Sequence, residues 1–409
     1  MLNAIWIFFF LSAFVLALIK QWVLGEADAF AAIMAALFSQ AKVAFEISLG
    51  LTGVLSLWLG IMRIGEKSGF IVLLTRVLTP LFTRLMPEIP KDHPAIGAIV
   101  MNISANALGL DNAATPLGIK AMQELQKLNT NPSVASNAQI LFLVINTSSV
   151  TLFPISILTY RAQLGAANPT DVFLPILIAT YVSTMAGLIA VAIVQRINLL
   201  DKVVFSYLFG FTVLIASLLA YFTALPQEQM LKQSATLSNS ILFSLIISFI
   251  GGAIYQGINA YEAFIEGAKE GLQTAITIIP YLVAMLTAIG VFRACGAMDL
   301  LAQLIREIVQ ALGWDARFVD GLPTALIKPF SGSGARAMMI DAMKTYGADS
   351  FVGRLVCIVQ GSTETTFYVL AIYFGSVGIK RIRYAATCGI IADLAGVVAS
   401  IFICYQFFG

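Results

Sequence analysis

The sequence is short of charged residues and of histidine. Asp, Glu, Lys and Arg make up 11% of its 409 residues, about half the fraction typical of a soluble domain, whereas 59% are hydrophobic. A soluble fold could not bury that much apolar surface. Because His93 is the one histidine, the sequence predicts neither a histidine-dependent catalytic site nor a metal site. We expect a membrane protein that is not an enzyme and uses no cofactor.

Two further absences narrow the possible functions. The net charge is +2 and no basic cluster is present, so nucleic acid is not an expected partner. The pattern Gly-x-x-x-x-Gly-Lys-Ser/Thr is missing, which excludes a P-loop enzyme. The four cysteines form no Cys-x-x-Cys pair and lie in or beside apolar stretches, where we expect buried free thiols.

Long apolar blocks dominate the chain. Uncharged stretches such as 172–195 and 271–292 are long enough to cross a hydrocarbon core, which takes about 20 helical residues. Residues 1–19 lack the basic start and cleavage site of a signal peptide and are interpreted as a retained span. The nine predicted spans are 3–22, 43–62, 137–160, 172–195, 203–224, 237–258, 271–292, 355–378 and 385–407.

Two other stretches, 94–125 and 320–345, are apolar but interrupted by Gly, Pro, Asn, Ser and single charges. Irregular backbone at membrane depth persists only where protein or a water-filled cavity satisfies its polar groups. We therefore predict re-entrant hairpins or discontinuous helices in both. The fold class is an all-α polytopic membrane protein.

Three blocks recur in the same order and indicate an internal duplication. Gly60-Ile-Met-Arg63 matches Gly290-Val-Phe-Arg293, and Ile119-Lys-Ala-Met122 matches Ile340-Asp-Ala-Met343. A hydroxyl-rich kernel at 144–153 matches one at 358–367. We predict a first repeat over 1–200, a linking helix over 201–230 and a second repeat over 231–409. An odd number of crossings between the repeats would invert the second.

Polar residues set among apolar ones are candidate sites, because they are costly in a bilayer. Glu364 is the candidate for ion coupling, with Asp111 as a second; the alternative for Asp111 is a wetted interfacial tip. Hydroxyls near Glu364 could instead bond their own helix, and Lys328 and Arg336 could reach the headgroups rather than an anionic solute. The predicted solute-binding residues are Asn102, Ser104, Asn106, Asn112, Asn146, Thr147, Ser148, Lys328, Ser331, Ser333, Gly334, Arg336, Gln360, Ser362 and Thr363.

Three runs of residues carry a family resemblance. The runs 328–336 and 361–368 resemble bacterial spore maturation protein B, and 101–118 resembles spore maturation protein A. The resemblance covers nearly the whole chain and implies a natural fusion with a nucleoside-recognition, or Gate, membrane region. It also implies hairpins and broken helices that meet at a central site, in the cytoplasmic (inner) membrane of a bacterium. It does not establish a nucleoside as the substrate.

The sequence favours a secondary transporter with two inverted repeats. A small polar or anionic solute would bind between the broken segments, and H⁺ or Na⁺ would drive its movement. The alternative is a non-transporting scaffold or sensor, which predicts a dry, packed centre where Glu364 and Lys328 neutralise each other. A homodimer through the amphipathic segments 66–88 and 297–312 is a further expectation.

Overall fold

The computed structural model describes residues 2–26, 28–90, 93–109, 111–148 and 151–409, without the side chains of 2 and 111–113. Its first half contains α1 (Leu2–Trp22), α2 (Ala29–Lys67), α3 (Phe70–Leu85), α4 (Pro94–Ala107), α5 (Asp111–Lys127), α6 (Asn137–Thr147), α7 (Ile155–Gln163) and α8 (Phe173–Gln195). The remainder contains α9 (Lys202–Thr223), α10 (Gln227–Tyr255), α11 (Ala260–Ala294), α12 (Ala297–Ala311), a 3₁₀ turn (Arg317–Gly321), α13 (Leu322–Ile327), α14 (Gly332–Tyr346), α15 (Phe351–Ser362), α16 (Thr366–Ser376) and α17 (Ala385–Phe408). No β-strand occurs in these ranges.

The described residues include eight helical segments that are long and apolar enough to span a membrane, counting α15 and α16 as one. Many large apolar side chains remain exposed; on α9, for example, Phe205, Phe209 and Phe211 are each about half exposed. Apolar side chains on the outside of a helical protein are stable in contact with lipid. The chain is therefore a multi-pass, all-α membrane protein, as the sequence predicted.

Helix breaks are more numerous than predicted. The interrupted stretches form the helix pairs α4–α5 and α13–α14, which agrees with the prediction of discontinuous helices. The predicted continuous span 137–160, however, is divided into α6 and α7, and helical structure is also interrupted at 363–365 between α15 and α16. Both additional interruptions lie at the hydroxyl-rich kernels, and the backbone N–H of Glu364 in one kernel donates to the carbonyl oxygen of Thr147 in the other.

Two helix pairs join the halves. Along α2 and α11 the backbones approach closely, because a Cβ added to Gly267 would lie 2.2 Å from the carbonyl oxygen of Leu59 and one added to Gly271 would lie 2.5 Å from Cα of Ser56. Small residues four apart permit such contacts between membrane helices. Likewise α8 packs on α17, with Gly187 against Ala392. Broken helices contact both pairs: α7 packs on α2 and α14 on α11, whereas α6 and α15 pack on α8 and α17.

Candidate functional site

All four helix breaks contribute to the wall of one cavity of about 440 Å³. From the breaks in chain order, the wall includes Asn106 and Gly109, Thr151 and Pro154, Lys328 and Gly332, and Thr363 and Glu364. The long helices α2 and α11 close another side of the cavity. The structure thus brings residues separated by more than 200 positions in sequence around a common space.

Local sequence explains why helical structure stops beside the cavity. Gly109 has φ +70°, a conformation that favours glycine, and a Cβ there would lie 2.6 Å from the carbonyl oxygen of Phe153. Pro329 has no N–H to continue α13, and its carbonyl oxygen accepts a hydrogen bond from the backbone N–H of Phe367, at 3.0 Å. Ser331 then starts α14 by accepting a hydrogen bond from the N–H of Gly334, at 3.0 Å.

In the first half, three asparagines form a compact amide cluster. Asn146 Nδ2 donates to Asn102 Oδ1 at 2.5 Å, and Asn106 Nδ2 donates to Asn146 Oδ1 at 2.8 Å. Asn102 Nδ2 also donates to the carbonyl oxygen of Ala114 at 2.7 Å. Asn102 is completely buried, whereas Asn106 borders the cavity. The cluster orients one neutral amide toward the cavity and supports it with two others.

In the second half, the residues at the cavity are charged. Lys328 is only 4% exposed, and its Nζ donates to the carbonyl oxygen of Gln360 at 2.8 Å. The guanidinium of Arg336 lies 5.9 Å from the centre of the Tyr160 ring, in cation–π contact. Glu364 is exposed at the cavity wall. These side chains face the cavity rather than the outer surface of the bundle.

The long helices add charges that were not predicted as site residues. Arg63 of α2 donates to Glu66 at 2.7 Å and to Glu266 of α11. Arg63, Glu66 and Glu270 all border the cavity. Their side chains were missed because the predicted spans 43–62 and 271–292 ended before or began after them, whereas α2 and α11 extend further. Arg63 was recognised only as part of a repeated block.

A buried acidic residue was also missed. Asp393 lies within the apolar helix α17, is 3% exposed, and accepts a hydrogen bond from Thr366 Oγ1 at 2.7 Å. Thr366 Oγ1 is in turn 2.6 Å from Thr147 Oγ1, and the backbone N–H of Glu364 donates to the carbonyl oxygen of Thr147 at 2.7 Å. A lone acidic residue within an uncharged apolar stretch was a sequence signal that could have identified Asp393.

Several predicted residues do not line the cavity. Ser148 and Ser362 donate to carbonyl oxygens of their own helices, at 2.8 and 2.9 Å, which is the alternative considered for the hydroxyls. Ser331 and Gly334 are occupied in capping α14, and Ser333 Oγ is 3.3 Å from Ser331 Oγ. Ser104 is buried away from the cavity wall. The side chains of Asp111 and Asn112 fall outside the described residues.

The described residues contain no group of three or more His, Cys, Asp or Glu side chains arranged to hold a metal ion. The cavity wall presents hydroxyl, amide, carboxylate and cationic groups. Such groups can bind and orient a polar solute by hydrogen bonds and charge. The four cysteines are buried and unpaired with one another.

Comparisons with known proteins agree with the resemblance seen in the sequence. The chain is 47% identical to spore maturation protein B of Bacillus subtilis (strain 168) over 175 residues, which are 42% of this chain and 97% of that protein. It is 47% identical to spore maturation protein A of the same organism over 154 residues, 38% of this chain and 79% of that protein. No solved structure matches the chain.

The Gate family, described as nucleoside recognition, matches residues 48–164 and 275–380, which together make up more than half of the chain. One matched segment ends just beyond α7 and the other just beyond α16, so each contains two of the helix breaks at the cavity. With its relationship to both spore maturation proteins, this confirms the predicted fusion. The chain belongs to the Gate nucleoside-recognition family.

Proposed function

We propose that the protein is a secondary transporter that moves a small polar solute across the bacterial cytoplasmic membrane. The observation that carries the proposal is the cavity of about 440 Å³ bordered by four helix breaks. Cavities of about 300–1,000 Å³ are typical of small-molecule sites. Discontinuous helices at a shared cavity are also a common arrangement for solute binding in transporters.

The chemistry of the cavity wall supports a solute with several hydrogen-bonding groups. Arg63, Lys328 and Arg336 are cationic, whereas Glu66, Glu270 and Glu364 are anionic. Asn106 and Gln360 add neutral amides, and Gln360 Oε1 has no hydrogen-bond partner among the described residues. A buried acceptor without a partner is costly, so a donor group on a bound solute would stabilise it. The proposed solute has a donor for Gln360 and an anionic or strongly polar group for Lys328 or Arg336.

Alternating access would follow from the two-fold repetition of the helices. In the proposal, the repeats are inverted and each contributes two broken helices to a fixed central site. Rocking of the repeats about that site would expose it first to one side of the membrane and then to the other. Movement of H⁺ or Na⁺ down its gradient would supply the energy.

The rival scaffold hypothesis expects a dry centre in which Lys328 and Glu364 neutralise each other. Lys328 instead donates to a backbone carbonyl, and Glu364 forms no salt bridge with any described residue. The volume and charged wall of the cavity therefore favour the transporter proposal over the scaffold.

The test is a thermal-stability screen of the purified protein against nucleosides, carboxylates, amino acids and other polar solutes. Binding to the folded state raises apparent stability. We expect one solute class to raise Tm in the wild type and in Lys42→Gln, an exposed lysine outside the cavity. The shift should be lost in Lys328→Gln.

Uptake into proteoliposomes would then follow with the solute that the screen identifies. Saturable uptake that Lys328→Gln abolishes, and Lys42→Gln does not, supports transport. Binding without uptake in both directions of reconstitution would instead favour a sensor, and absence of any solute-dependent shift would favour the scaffold.

A further inference from the structure

Asp393 is the most buried carboxyl group near the cavity that the proposed function does not yet use. It is 3% exposed within α17 and is not part of the cavity wall. Its Oδ2 accepts a hydrogen bond from Thr366, whereas its Oδ1 has no hydrogen-bond partner among the described residues. The unpartnered oxygen is a second, independent indication that something occupies this position.

The direction of the adjacent hydrogen bonds follows from counting protons. A threonine hydroxyl has one proton to donate, and Thr366 donates its proton to Asp393 at 2.7 Å. When Asp393 is an ionised acceptor, Thr147 is therefore the donor to Thr366 in the 2.6 Å contact between the two hydroxyls. The chain Thr147 to Thr366 to Asp393 thus connects α6 of the first half, α16 and α17.

The surroundings do not neutralise an ionised carboxylate. No lysine or arginine in the described part of the chain forms a salt bridge with Asp393, and Lys328 acts on it electrostatically without a hydrogen bond. Among the helices packed on α17, α6 and α8 contain no charged side chain, and α16 contributes only the phenols Tyr368 and Tyr373.

The remaining charged groups on helices that contact α17 are engaged elsewhere or lie near its end. Arg354 of α15 donates to Asp171 at 2.8 Å. The charges of α10, Glu228 and Lys232, are at its start, where Gln227 contacts the carbonyl oxygen of Gly409 at the end of α17. Burial of an ionised carboxylate without a salt bridge is disfavoured, so the surroundings of Asp393 favour the neutral acid.

Tight packing favours a proton over a metal cation. Gly389 and Gly396 flank Asp393 on α17, and an added Cβ would lie 2.6 Å from Thr366 Cγ2 and 2.8 Å from Thr363 Cγ2, respectively. The α15–α16 break therefore packs directly against α17. A proton binds to the carboxylate oxygen without additional space, whereas a sodium ion would need room for several oxygen ligands around it.

We infer that Asp393 is a proton-binding site that couples proton movement to the solute cavity, a role that rests on the proposed transport function. The proton comes from water on one side of the membrane, is held as the O–H of the neutral acid, and leaves to water on the other side. When it leaves, the carboxylate attracts Lys328, which then gives up its hydrogen bond to the carbonyl oxygen of Gln360. Because Lys328 borders the cavity, proton release changes the solute site.

Infrared spectroscopy of the protein in lipid tests proton binding without knowledge of the solute. We expect the wild type to show the C=O stretching band of a water-excluded protonated carboxylic acid at neutral pH. The band should be lost in Asp393→Asn, kept in Glu364→Gln, and shifted in Thr366→Val, which removes the hydrogen bond to Oδ2. A wild type without this band, or a band kept in Asp393→Asn and lost in Glu364→Gln, overturns the inference.

Should Asp393→Asn fail to fold, the shift in Thr366→Val still tests the assignment, and an unshifted band overturns it.

Proteoliposomes with a pH-sensitive dye test the coupling. We expect solute addition to drive proton movement in the wild type and Lys42→Gln, with loss of that movement in Asp393→Asn. Equal proton movement in Asp393→Asn overturns the inference but leaves transport standing. An Asp393 band without solute flux retains the proton site and contradicts the proposed function.

Discussion

The broken helices of the two halves contribute different chemistry to the same cavity. The first half supplies the neutral cluster of Asn102, Asn106 and Asn146, whose amides mainly bond one another. The second half supplies Lys328 and Glu364, which face the cavity as charged groups. Each of the two Gate-matched segments contains two pairs of broken helices, and their polar residues differ: one set is suited to fixing geometry and the other to binding charge.

The repeated arginines show the same divergence. Arg293 donates to Asp341 of α14 at 2.5 Å, but Lys120 occupies the position in α5 that matches Asp341 in the repeat. Arg63 therefore cannot form the equivalent ion pair with α5, and it bonds Glu66 and Glu266 instead. The two matched sequence blocks differ in charge sign at Lys120 and Asp341, and their arginines have different ion-pair partners.

The largest expected loss of stability follows from replacing Arg161, which bonds residues of both halves. Arg161 is fully buried and bonds Asp171 at 2.8 Å and Asp349 at 2.9 Å. Another contact between the halves uses the exposed Arg383, which donates to the carbonyl oxygen of Ala135 at 3.0 Å. Arg161→Met should lower the free energy of unfolding by about 3–5 kcal/mol, because the buried Asp171 loses one of its two arginine partners and the carbonyl oxygen of Ala348 loses its donor.

The matched variant Arg383→Met should cost only about 0.5–1.5 kcal/mol, the usual net value of one hydrogen bond. Unfolding titrations in mixed micelles provide both values. Equal destabilisation by the two variants would show that the loop contacts of the halves are energetically alike, contrary to the comparison.

A smaller effect is expected at the repeat position where charge differs. Asp341 is nearly buried beside Arg293, so Asp341→Asn should cost about 1.5–3 kcal/mol, the range for a hydrogen bond to a charged group. Lys120 is exposed, and Lys120→Asn should change stability by less than about 0.5 kcal/mol. Thermal unfolding of the two variants provides the comparison. A larger loss in Lys120→Asn would contradict the assignment of the ion pair to the second half alone.

The membrane fold and two of the four breaks were predictable from local sequence. Glycine, proline and polar residues in 94–125 and 320–345 interrupt the apolar pattern strongly enough to be recognised. The breaks between α6 and α7 and between α15 and α16 were not predicted as such, because Leu152 and Phe153 precede α7 and both breaks adjoin long apolar runs. Their cause is tertiary: the N–H of Glu364 bonds the carbonyl oxygen of Thr147 in the other half.

Residues of the candidate site were likewise predictable only where the local sequence made them conspicuous. Asn106, Lys328 and Glu364 were predicted because single polar residues in apolar surroundings are conspicuous. Glu66 and Glu270 were not, because they lie on extensions of α2 and α11 that resemble ordinary polar helix ends in sequence. Only the packing of those two helices places their carboxylates at the cavity.

The comparison of the halves implies that the amide cluster stabilises the fold, whereas the charged wall binds the solute. Asn102→Leu removes an acceptor for Asn146 and Asn106, and we expect it to cost about 1–3 kcal/mol of stability, because their buried amides lose a partner. Gln360→Met removes an oxygen that has no described partner, so it should leave stability nearly unchanged and weaken the solute-dependent rise in Tm. Thermal unfolding with and without solute measures both effects. If Gln360→Met were as destabilising as Asn102→Leu and kept the full solute response, the second half would be as structural as the first, and the division of roles between the halves would not hold.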